Sequence, residues 1–323
     1  MLKLAFLWHS RFTLADMLSN WQDGLRGALT LLADKWSVRV FAPYGEAQAT
    51  VNGLGITMTP GAESCLQACK DWKPDVVLCW GSIDRPLHAR VRELGVPTAL
   101  CFAGGSPSHA NRENFDLIFV ETDYHLPFFE GCNVRKAFGI NTDLFRPTEW
   151  QRPHFLGVLP AAFAAYKRYD LFARAMGKDG LAVGQVQTQP DGSVFEAEVC
   201  HEVCLREGVT VIPRLVPYYL MPYIFGMAKT AVLTSTTYGG CDRTVLEALA
   251  CEKPVVACKD NQKLKILLNG LLPMAEPDPK ELRRVAEEVA VTADRKGLRQ
   301  YVVDNFSHYI YARQLREGIE SIV

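Results

Sequence analysis

The stretch that decides the fold is Thr234–Val256, which reads TSTTYGGCDRTVLEALACEKPVV. It starts at the end of residues 230–234 (TAVLT), a short apolar and β-branched run that is typical of a buried parallel strand. Gly239 and Gly240 permit positive φ angles, so we expect a tight turn after that strand. An apolar helical pattern follows and stops before Pro254, where the residues PVVAC predict the next strand. The expected order is therefore strand, glycine turn, helix and strand.

The start of this helix is a candidate anion site. We expect the helix to begin at Asp242 or Arg243, so that its unpaired backbone amides and the positive end of its dipole point to one place. A phosphate or a diphosphate suits that position. Glu247 follows in the helix, where its carboxylate can accept hydrogen bonds from neighbouring hydroxyls, such as those of a ribose. The alternative is that the glycines only form the turn and that Glu247 is a solvated helix residue.

The composition is that of a soluble globular protein without a strong net charge. The 323 residues are 48% hydrophobic and 22% charged, and the formal net charge is -1. These values argue against disorder and give no overall electrostatic case for binding nucleic acid or an anionic membrane. The length accommodates one large domain or two medium domains, each with its own core.

The N-terminal residues and the cysteines indicate the compartment. The apolar run in MLKLAFLWHS is too short to span a membrane and lacks a small-residue cleavage site, so we expect a cytoplasmic protein without a stable membrane span. Many of the ten cysteines lie inside apolar patterns, as free thiols of a reducing compartment do. Two pairs have the i, i+4 spacing of a helix: Cys65 with Cys69, and Cys200 with Cys204. A zinc site needs four ligands in tighter patterns, so we predict no metal site.

The first half of the chain alternates strand and helix patterns, which predicts a doubly wound parallel sheet that ends near Arg146. Functional residues of such sheets collect at the carboxyl ends of the strands. Each candidate there is weak by itself, because a polar loop residue is more often solvated than functional, but together they outline one rim of a cleft. The acceptor-side candidates are His9, Asp84, Gly104, Gly105 and His109.

The second half repeats the strand and helix alternation after a polar linker at residues 148–153. Strands are predicted at residues 154–159, 181–186 and 209–212. Towards the C-terminus we expect one long helix over Pro279–Arg295 and a last helix over Tyr309–Ile322.

The central stretch resembles a signature of retaining nucleotide-sugar glycosyltransferases of the GT-B fold, of the family-four (group 1) type that includes sucrose synthase-like and mannosyltransferase-like enzymes. That signature combines a Ser, Glu-Gly-x-Gly, Leu-Glu-Ala and Pro-Val-Val, with two glutamates separated by seven residues. The matching residues are Ser235, Gly240, Leu246, Glu247, Ala248, Pro254, Val255 and Val256. By this resemblance Glu247 binds the nucleotide ribose. The glutamate that contacts the sugar in the family is replaced by Gly239.

The resemblance extends over about residues 134–309. Lys167, with Asp170 and Leu171, fits a Lys-Arg-x-Asp-Leu segment, which implies that Lys167 helps to neutralise the donor diphosphate. The arginine that shares this role in the family is replaced by Ala162, and a lone lysine at a helix start can also be only a surface charge. The possible substitutes are Arg168, Arg214 and Arg243. The family's His-Gly reads Ala103-Gly104 here, and its paired glycines after the first strand are missing.

Together these patterns predict an α/β protein of GT-B architecture, with two Rossmann-like doubly wound domains facing across a cleft. The expected domains are an acceptor-side domain (1–147), a nucleotide-sugar-binding domain (148–305) and a C-terminal helix that crosses back (306–323). The implied donor-site residues are Lys167, Glu247, Gly239, Gly240, Cys241, Arg243, Thr244, Val245 and Arg214.

The implied reaction is sugar transfer from a UDP- or GDP-type sugar to an unidentified acceptor, with retention at the anomeric carbon. The acceptor is a glycan, a lipid, a small molecule or a nucleic acid. Helix amides at Thr244 and Val245, with Lys167, stabilise the leaving diphosphate without a metal or other cofactor. A lipid acceptor predicts an exposed apolar surface, for which Phe128 and Phe129 are the candidates, although core positions suit them better.

Two other interpretations remain open. An inert GT-B domain that binds a nucleotide or a protein partner explains the missing glutamate, arginine and histidine at once. A glycosyltransferase acting on nucleic acid requires a basic acceptor groove. An epimerase or a phosphorylase of the same fold is less favoured, because nothing in the sequence resembles a phosphorylase cofactor lysine.

Overall fold

The structure is a computed structural model of the chain. It describes residues 1–8, 14, 23–103, 111–149, 152–186, 194–237 and 242–323. The chain forms two compact units, one made of Met1–Asn141 with Ser307–Val323 and the other of Thr142–Phe306.

The first unit is built on an eight-stranded sheet with the order β3-β4-β2-β1-β5-β6-β7-β8. Its strands are β1 Lys3–Trp8, β2 Ser37–Ala42, β3 Ala47–Val51, β4 Leu54–Met58, β5 Val76–Gly81, β6 Thr98–Phe102, β7 Leu117–Val120 and β8 Val134–Lys136. Neighbouring strands are parallel except for β3 and β4, which are antiparallel. The central strands are continuous apolar runs, as expected for strands that are covered on both faces.

Helices cover both faces of this sheet. On one face α1 (Gly24–Ala33) packs against the C-terminal helix α10 (His308–Glu320), and both contact a core that contains Phe6 and Trp8. On the other face α2 (Ala62–Trp72) and the 3-10 segment His88–Leu94 cover alternate residues of the same strands. This arrangement is doubly wound, because successive residues of each central strand enter different cores.

The N-terminus of α1 is fixed by two local features. The Asp23 carboxylate caps the helix by accepting a hydrogen bond of 3.0 Å from the amide of Arg26. Gly24 lies against the segment that leads out of β8, since a Cβ there would be only 1.9 Å from the carbonyl oxygen of Gly139. A larger residue at position 24 would therefore displace the helix from the sheet.

The second unit contains a parallel five-stranded sheet with the order β11-β10-β9-β12-β13. Its strands are β9 Phe155–Pro160, β10 Gly180–Val183, β11 Thr210–Ile212, β12 Ala228–Leu233 and β13 Val255–Ala257. Its helices are α3 Tyr169–Met176, α4 Phe195–Arg206, α5 Met221–Gly226, α6 Asp242–Ala250, α7 Gln262–Leu268, α8 Pro279–Thr292 and α9 Arg295–Phe306.

The structure differs from the sequence-based expectation in two elements near the C-terminus of the second unit. The predicted helix Pro279–Arg295 ends earlier, because Ala293 is extended (φ -70°, ψ 136°). The new helix α9 then begins, and the Asp294 carboxylate accepts a hydrogen bond of 3.1 Å from the amide of Gly297. Helix α9 was not predicted from the sequence. Only Leu298 and Val302 along it are buried, so its apolar pattern is too weak to indicate a helix.

Within the described ranges, no helix combines the length and the apolar character that crossing a membrane requires. The same part of the chain contains no group of three or more His, Cys, Asp or Glu side chains suited to a metal ion. Its cysteines are free thiols, and all except Cys132 are buried.

Candidate functional site

The predicted site residues fall into three groups. Of the acceptor-side candidates, only Asp84 lies in the described part of the chain; it is exposed, and its carboxylate accepts a hydrogen bond from the Ser82 hydroxyl. The candidates in the second unit that are described are Lys167, Arg214, Arg243, Thr244, Val245 and Glu247. The residues outside the described ranges are His9, Gly104, Gly105, His109, Gly239, Gly240 and Cys241.

The candidate site forms where β9, β12 and β13 end. These three strands are adjacent and parallel, so the segments that follow them meet at one edge of the sheet. The Thr234 hydroxyl, just after β12, donates a hydrogen bond of 2.6 Å to the carbonyl of Lys167. The amide of Thr236 donates to the carbonyl of Tyr166 at 3.1 Å. The segment after β12 is therefore attached to the segment after β9.

The segment after β13 holds the same loop from the other side. Asn261 is fully buried, and its side-chain amide donates to the carbonyls of Ser235 and Thr236 at 3.0 and 3.2 Å. Its side-chain oxygen accepts from the amide of Leu264 at 3.1 Å and caps α7. One asparagine thus joins a helix start to the loop that leads towards α6.

Arg168 completes this attachment. Its guanidinium pairs with both carboxylate oxygens of Asp260, at 2.6 and 2.9 Å, and donates to the carbonyls of Thr234 and Ser235. Burial disfavours the charged form, but the hydrogen bonds and the charge of Asp260 outweigh it and raise the pKa of Arg168 above its ordinary value. Arg168 therefore joins the segments that follow β9, β12 and β13. This structural role argues against Arg168 as a substitute for the missing diphosphate-binding arginine.

Lys167 is buried at this edge, with only 7% of the residue exposed. It ends the 3-10 turn Ala165–Lys167, and its Nζ lies 5.1 Å from the centroid of the Tyr166 ring. The interpretation of Lys167 as a surface charge is therefore wrong. A buried ammonium group requires interaction with polar or aromatic groups, and such a group is suited to an anionic ligand.

Glu247 is also buried, with 3% of the residue exposed, so the interpretation of it as a solvated helix residue is wrong. It lies on α6 one helical turn after Arg243, whose Nε is 3.3 Å from the Glu247 Oε1. The Tyr218 hydroxyl donates a hydrogen bond to the same oxygen. The Arg243 guanidinium lies over the Tyr218 ring, 5.6 Å from its centroid. These three side chains form the Tyr218–Arg243–Glu247 cluster.

The remaining predicted residues occupy different environments. Val245 is fully buried, so only its backbone amide is suited to a ligand, whereas Thr244 is half-buried in the same first turn of α6. Arg214 is exposed beyond the end of the edge strand β11. The phenylalanine pair in the first unit is divided, because Phe129 is core with 1% exposed and Phe128 is 37% exposed.

Sequence reasoning missed Tyr218 and Asp260. Tyr218 lies 29 residues before Glu247, and Asp260 lies 92 residues after Arg168, so no local pattern links either pair. Asn261 did carry a signal, since an asparagine directly before an apolar helical run is a typical N-cap.

Comparison with solved structures identifies the architecture. HepE of Anabaena, in complex with UDP and glucose, is 14% identical with a TM-score of 0.72, over 99% of this chain and 100% of that chain. A glycosyltransferase from Rickettsia africae ESF-5 is 13% identical with a TM-score of 0.72, over 99% and 98%. The α,α-trehalose-6-phosphate synthase from Burkholderia multivorans is 12% identical with a TM-score of 0.73, over 99% and 98%.

The chain has the GT-B fold. The prediction of an α/β protein of GT-B architecture is therefore confirmed. No protein-family model and no curated protein matches the chain. Since a GT-B fold hosts more than one activity, the function has to be argued from the side chains at the edge of the second sheet.

Proposed function

We propose that this GT-B chain is a glycosyltransferase of the retaining type, which moves a sugar from a UDP- or GDP-type donor to an acceptor. The observation that carries the proposal is the Tyr218–Arg243–Glu247 cluster at the first turns of α6. It places a buried carboxylate beside a half-exposed guanidinium, on the helix that follows β12. This pair of groups suits a nucleoside diphosphate, because its ribose offers hydroxyl donors and its diphosphate carries negative charge.

Glu247 is assigned to the ribose. Its carboxylate is fixed by the Tyr218 hydrogen bond and the Arg243 ion pair and lies in a site of low solvent exposure, where a further hydrogen bond from a ribose hydroxyl is stronger than in water.

Arg243 is assigned to the diphosphate, together with Lys167. Ala162 stands where the glycosyltransferase family has a diphosphate-binding arginine, so another arginine has to take that role. Arg168 is a poor substitute, because it already binds Asp260 and two backbone carbonyls. The Arg243 side chain is 47% exposed and lies in the first turn of α6, where the helix dipole also favours an anion. In the reaction, the bond between the anomeric carbon and the diphosphate oxygen breaks, the acceptor oxygen bonds to the same face of the anomeric carbon, and the departing diphosphate takes the proton of the acceptor hydroxyl. The two cations and the helix amides stabilise the charge that develops on it, without a metal.

The structural neighbours support this donor class. HepE of Anabaena has been crystallised with UDP and with UDP-glucose, and this chain matches it along its whole length. The proposed acceptor is a glycan, a lipid, a small molecule or a nucleic acid. Because Phe128 is exposed, an acceptor screen should include lipids.

A thermal-shift panel tests the proposal. The protein is heated with UDP, GDP, ADP, CDP and TDP and with their common sugar conjugates, because a ligand that binds only the folded state stabilises it. We expect one base to stand out, with a stabilisation of about 2.7 kcal/mol at roughly 100 times its Kd. Once a donor and an acceptor are known, the product of the transfer reaction tests the stereochemistry. A product with inverted anomeric configuration would contradict the retaining assignment. No shift with any member of the panel would favour the inert GT-B domain instead.

A further inference from the structure

We infer that Tyr218 is a positioning residue for the nucleotide, which acts by holding the Glu247 carboxylate and the Arg243 guanidinium in one fixed arrangement. The inference rests on the proposed function, because it concerns how the same site binds a nucleoside diphosphate. Tyr218 starts the short turn Tyr218–Leu220 that leads into α5, whereas the other two residues lie on α6. The arrangement of the binding groups therefore depends on a side chain from a separate element.

The hydroxyl of Tyr218 sets the direction of the carboxylate. It donates to Oε1 of Glu247, the same oxygen that lies 3.3 Å from the Nε of Arg243. A carboxylate oxygen that accepts a hydrogen bond and also forms an ion pair is held against rotation, so the carboxylate keeps one orientation. Because Glu247 is almost completely buried, this hydrogen bond and the ion pair with Arg243 act in a low local dielectric, where both are stronger than in water.

The ring of Tyr218 sets the position of the cation. The Arg243 guanidinium lies 5.6 Å from the ring centroid, within the range of a cation–π interaction. Half of the Arg243 side chain is solvent-exposed, so a diphosphate can reach a guanidinium whose place the ring has already fixed. A group held in place before binding loses less conformational entropy when the ligand arrives.

The Tyr218 ring is held in place by packing against Phe145. It packs edge-on against Phe145, with ring centroids 5.2 Å apart, and Phe145 is fully buried. The Phe145 carbonyl accepts a hydrogen bond of 2.9 Å from Arg299, which also donates to the carbonyl of Ala250 at the end of α6. Removing only the Tyr218 hydroxyl thus leaves the ring in place, and Tyr218→Phe isolates the hydrogen bond to Glu247.

The test compares Tyr218→Phe with the matched control Tyr219→Phe. Tyr219 is the neighbouring tyrosine, is 49% exposed and forms no part of the cluster. Calorimetry measures the binding of UDP and GDP, and of the same diphosphates lacking both ribose hydroxyls, to each variant. The wild type should prefer the ribose form, and Tyr218→Phe should reduce that preference about tenfold, the value of one hydrogen bond to a charged group. Tyr219→Phe should keep it.

Each outcome of this experiment either supports or overturns the positioning role of Tyr218. Equal preference in Tyr218→Phe and the wild type would overturn the positioning role and leave the proposed function standing. An equal loss of affinity for both ligand forms, with a lower melting temperature, would also overturn it, since a purely structural role acts on both forms alike. If the wild type binds no diphosphate at all, the proposed function fails and the positioning role fails with it.

A double-mutant cycle adds a second readout. If Tyr218 acts through Glu247, then Tyr218→Phe should change ribose preference very little in a Glu247→Gln background, because the charged acceptor is already gone. Full additivity of the two substitutions would contradict the inference.

Discussion

Two of the arginine–carboxylate pairs in the second unit differ in which partner is buried. In Arg168–Asp260 the arginine is the more buried partner, with 19% of its side chain exposed against 43% for the aspartate. In Arg243–Glu247 the carboxylate is the more buried partner, with 4% exposed against 47% for the arginine. A guanidinium that turns inward meets backbone carbonyls and joins loops. A guanidinium that faces solvent, above a buried carboxylate, is suited to a ligand that brings both anionic and hydroxyl groups.

Removing Arg168 should have the largest effect, and it should be on stability. Arg168→Ala removes donors to the carbonyls of Thr234 and Ser235 as well as the pair with Asp260, so we expect a loss of about 3 kcal/mol in the free energy of unfolding. Urea unfolding measures it. The control is Arg174→Ala, which removes an exposed arginine from α3. Equal stability of the two variants would mean that Arg168 does not hold the loops together.

Removing Glu247 should act mainly on binding. Glu247→Ala eliminates the carboxylate assigned to the ribose and leaves the Arg243 charge without that partner, so we expect nucleoside diphosphate affinity to fall about 30-fold, or about 2 kcal/mol. Calorimetry with the diphosphate selected by the thermal-shift panel measures it. Glu202→Ala, an exposed glutamate on α4, is the control. Unchanged affinity in Glu247→Ala would count against the ribose assignment.

The sequence predicted the surroundings of the Arg243–Glu247 pair better than those of the Arg168–Asp260 pair, for a physical reason. The stretch Thr234–Val256 carries its own local signals, and the strand, the helix from Asp242 and the next strand lie where those signals place them. The functions of the two arginines depend on contacts between distant segments. Arg168 and Arg243 were both candidates for the diphosphate, and they are separated by the contacts of Arg168 with Asp260 and with the carbonyls of Thr234 and Ser235.

The fold shows the same division between local and distant information. Buried parallel strands such as Leu117–Val120 are continuous apolar runs and are recognisable by themselves. The edge strand Ala47–Val51 was missed because it is half-exposed, polar at alternate positions and paired on one side only. Tyr218 was missed as a site residue because its partner belongs to another element.

Removing the solvent-facing guanidinium should have a smaller and selective effect. Arg243→Ala should lower the affinity for the diphosphate about tenfold more than the affinity for the matching nucleoside, since only the diphosphate carries a charge for the arginine to meet. Competition binding with both ligands measures the ratio. Arg214→Ala is the informative comparison, because Arg214 is the remaining candidate arginine and is exposed. If Arg214→Ala alone changes the ratio, the diphosphate role belongs to Arg214.

The smallest effect should come from neutralising Asp260. Asp260→Asn keeps a side-chain oxygen that can accept a hydrogen bond from Arg168, and the bonds from Arg168 to the two carbonyls remain. Because 43% of the Asp260 side chain is exposed, solvent screens its charge, and we expect a loss of less than about 1 kcal/mol in urea unfolding. Nucleotide affinity should not change, in contrast to Glu247→Gln, where the neutralised carboxyl is buried. A loss as large as that of Arg168→Ala would mean that the ion pair, rather than the bonds to the carbonyls, holds the three loops together.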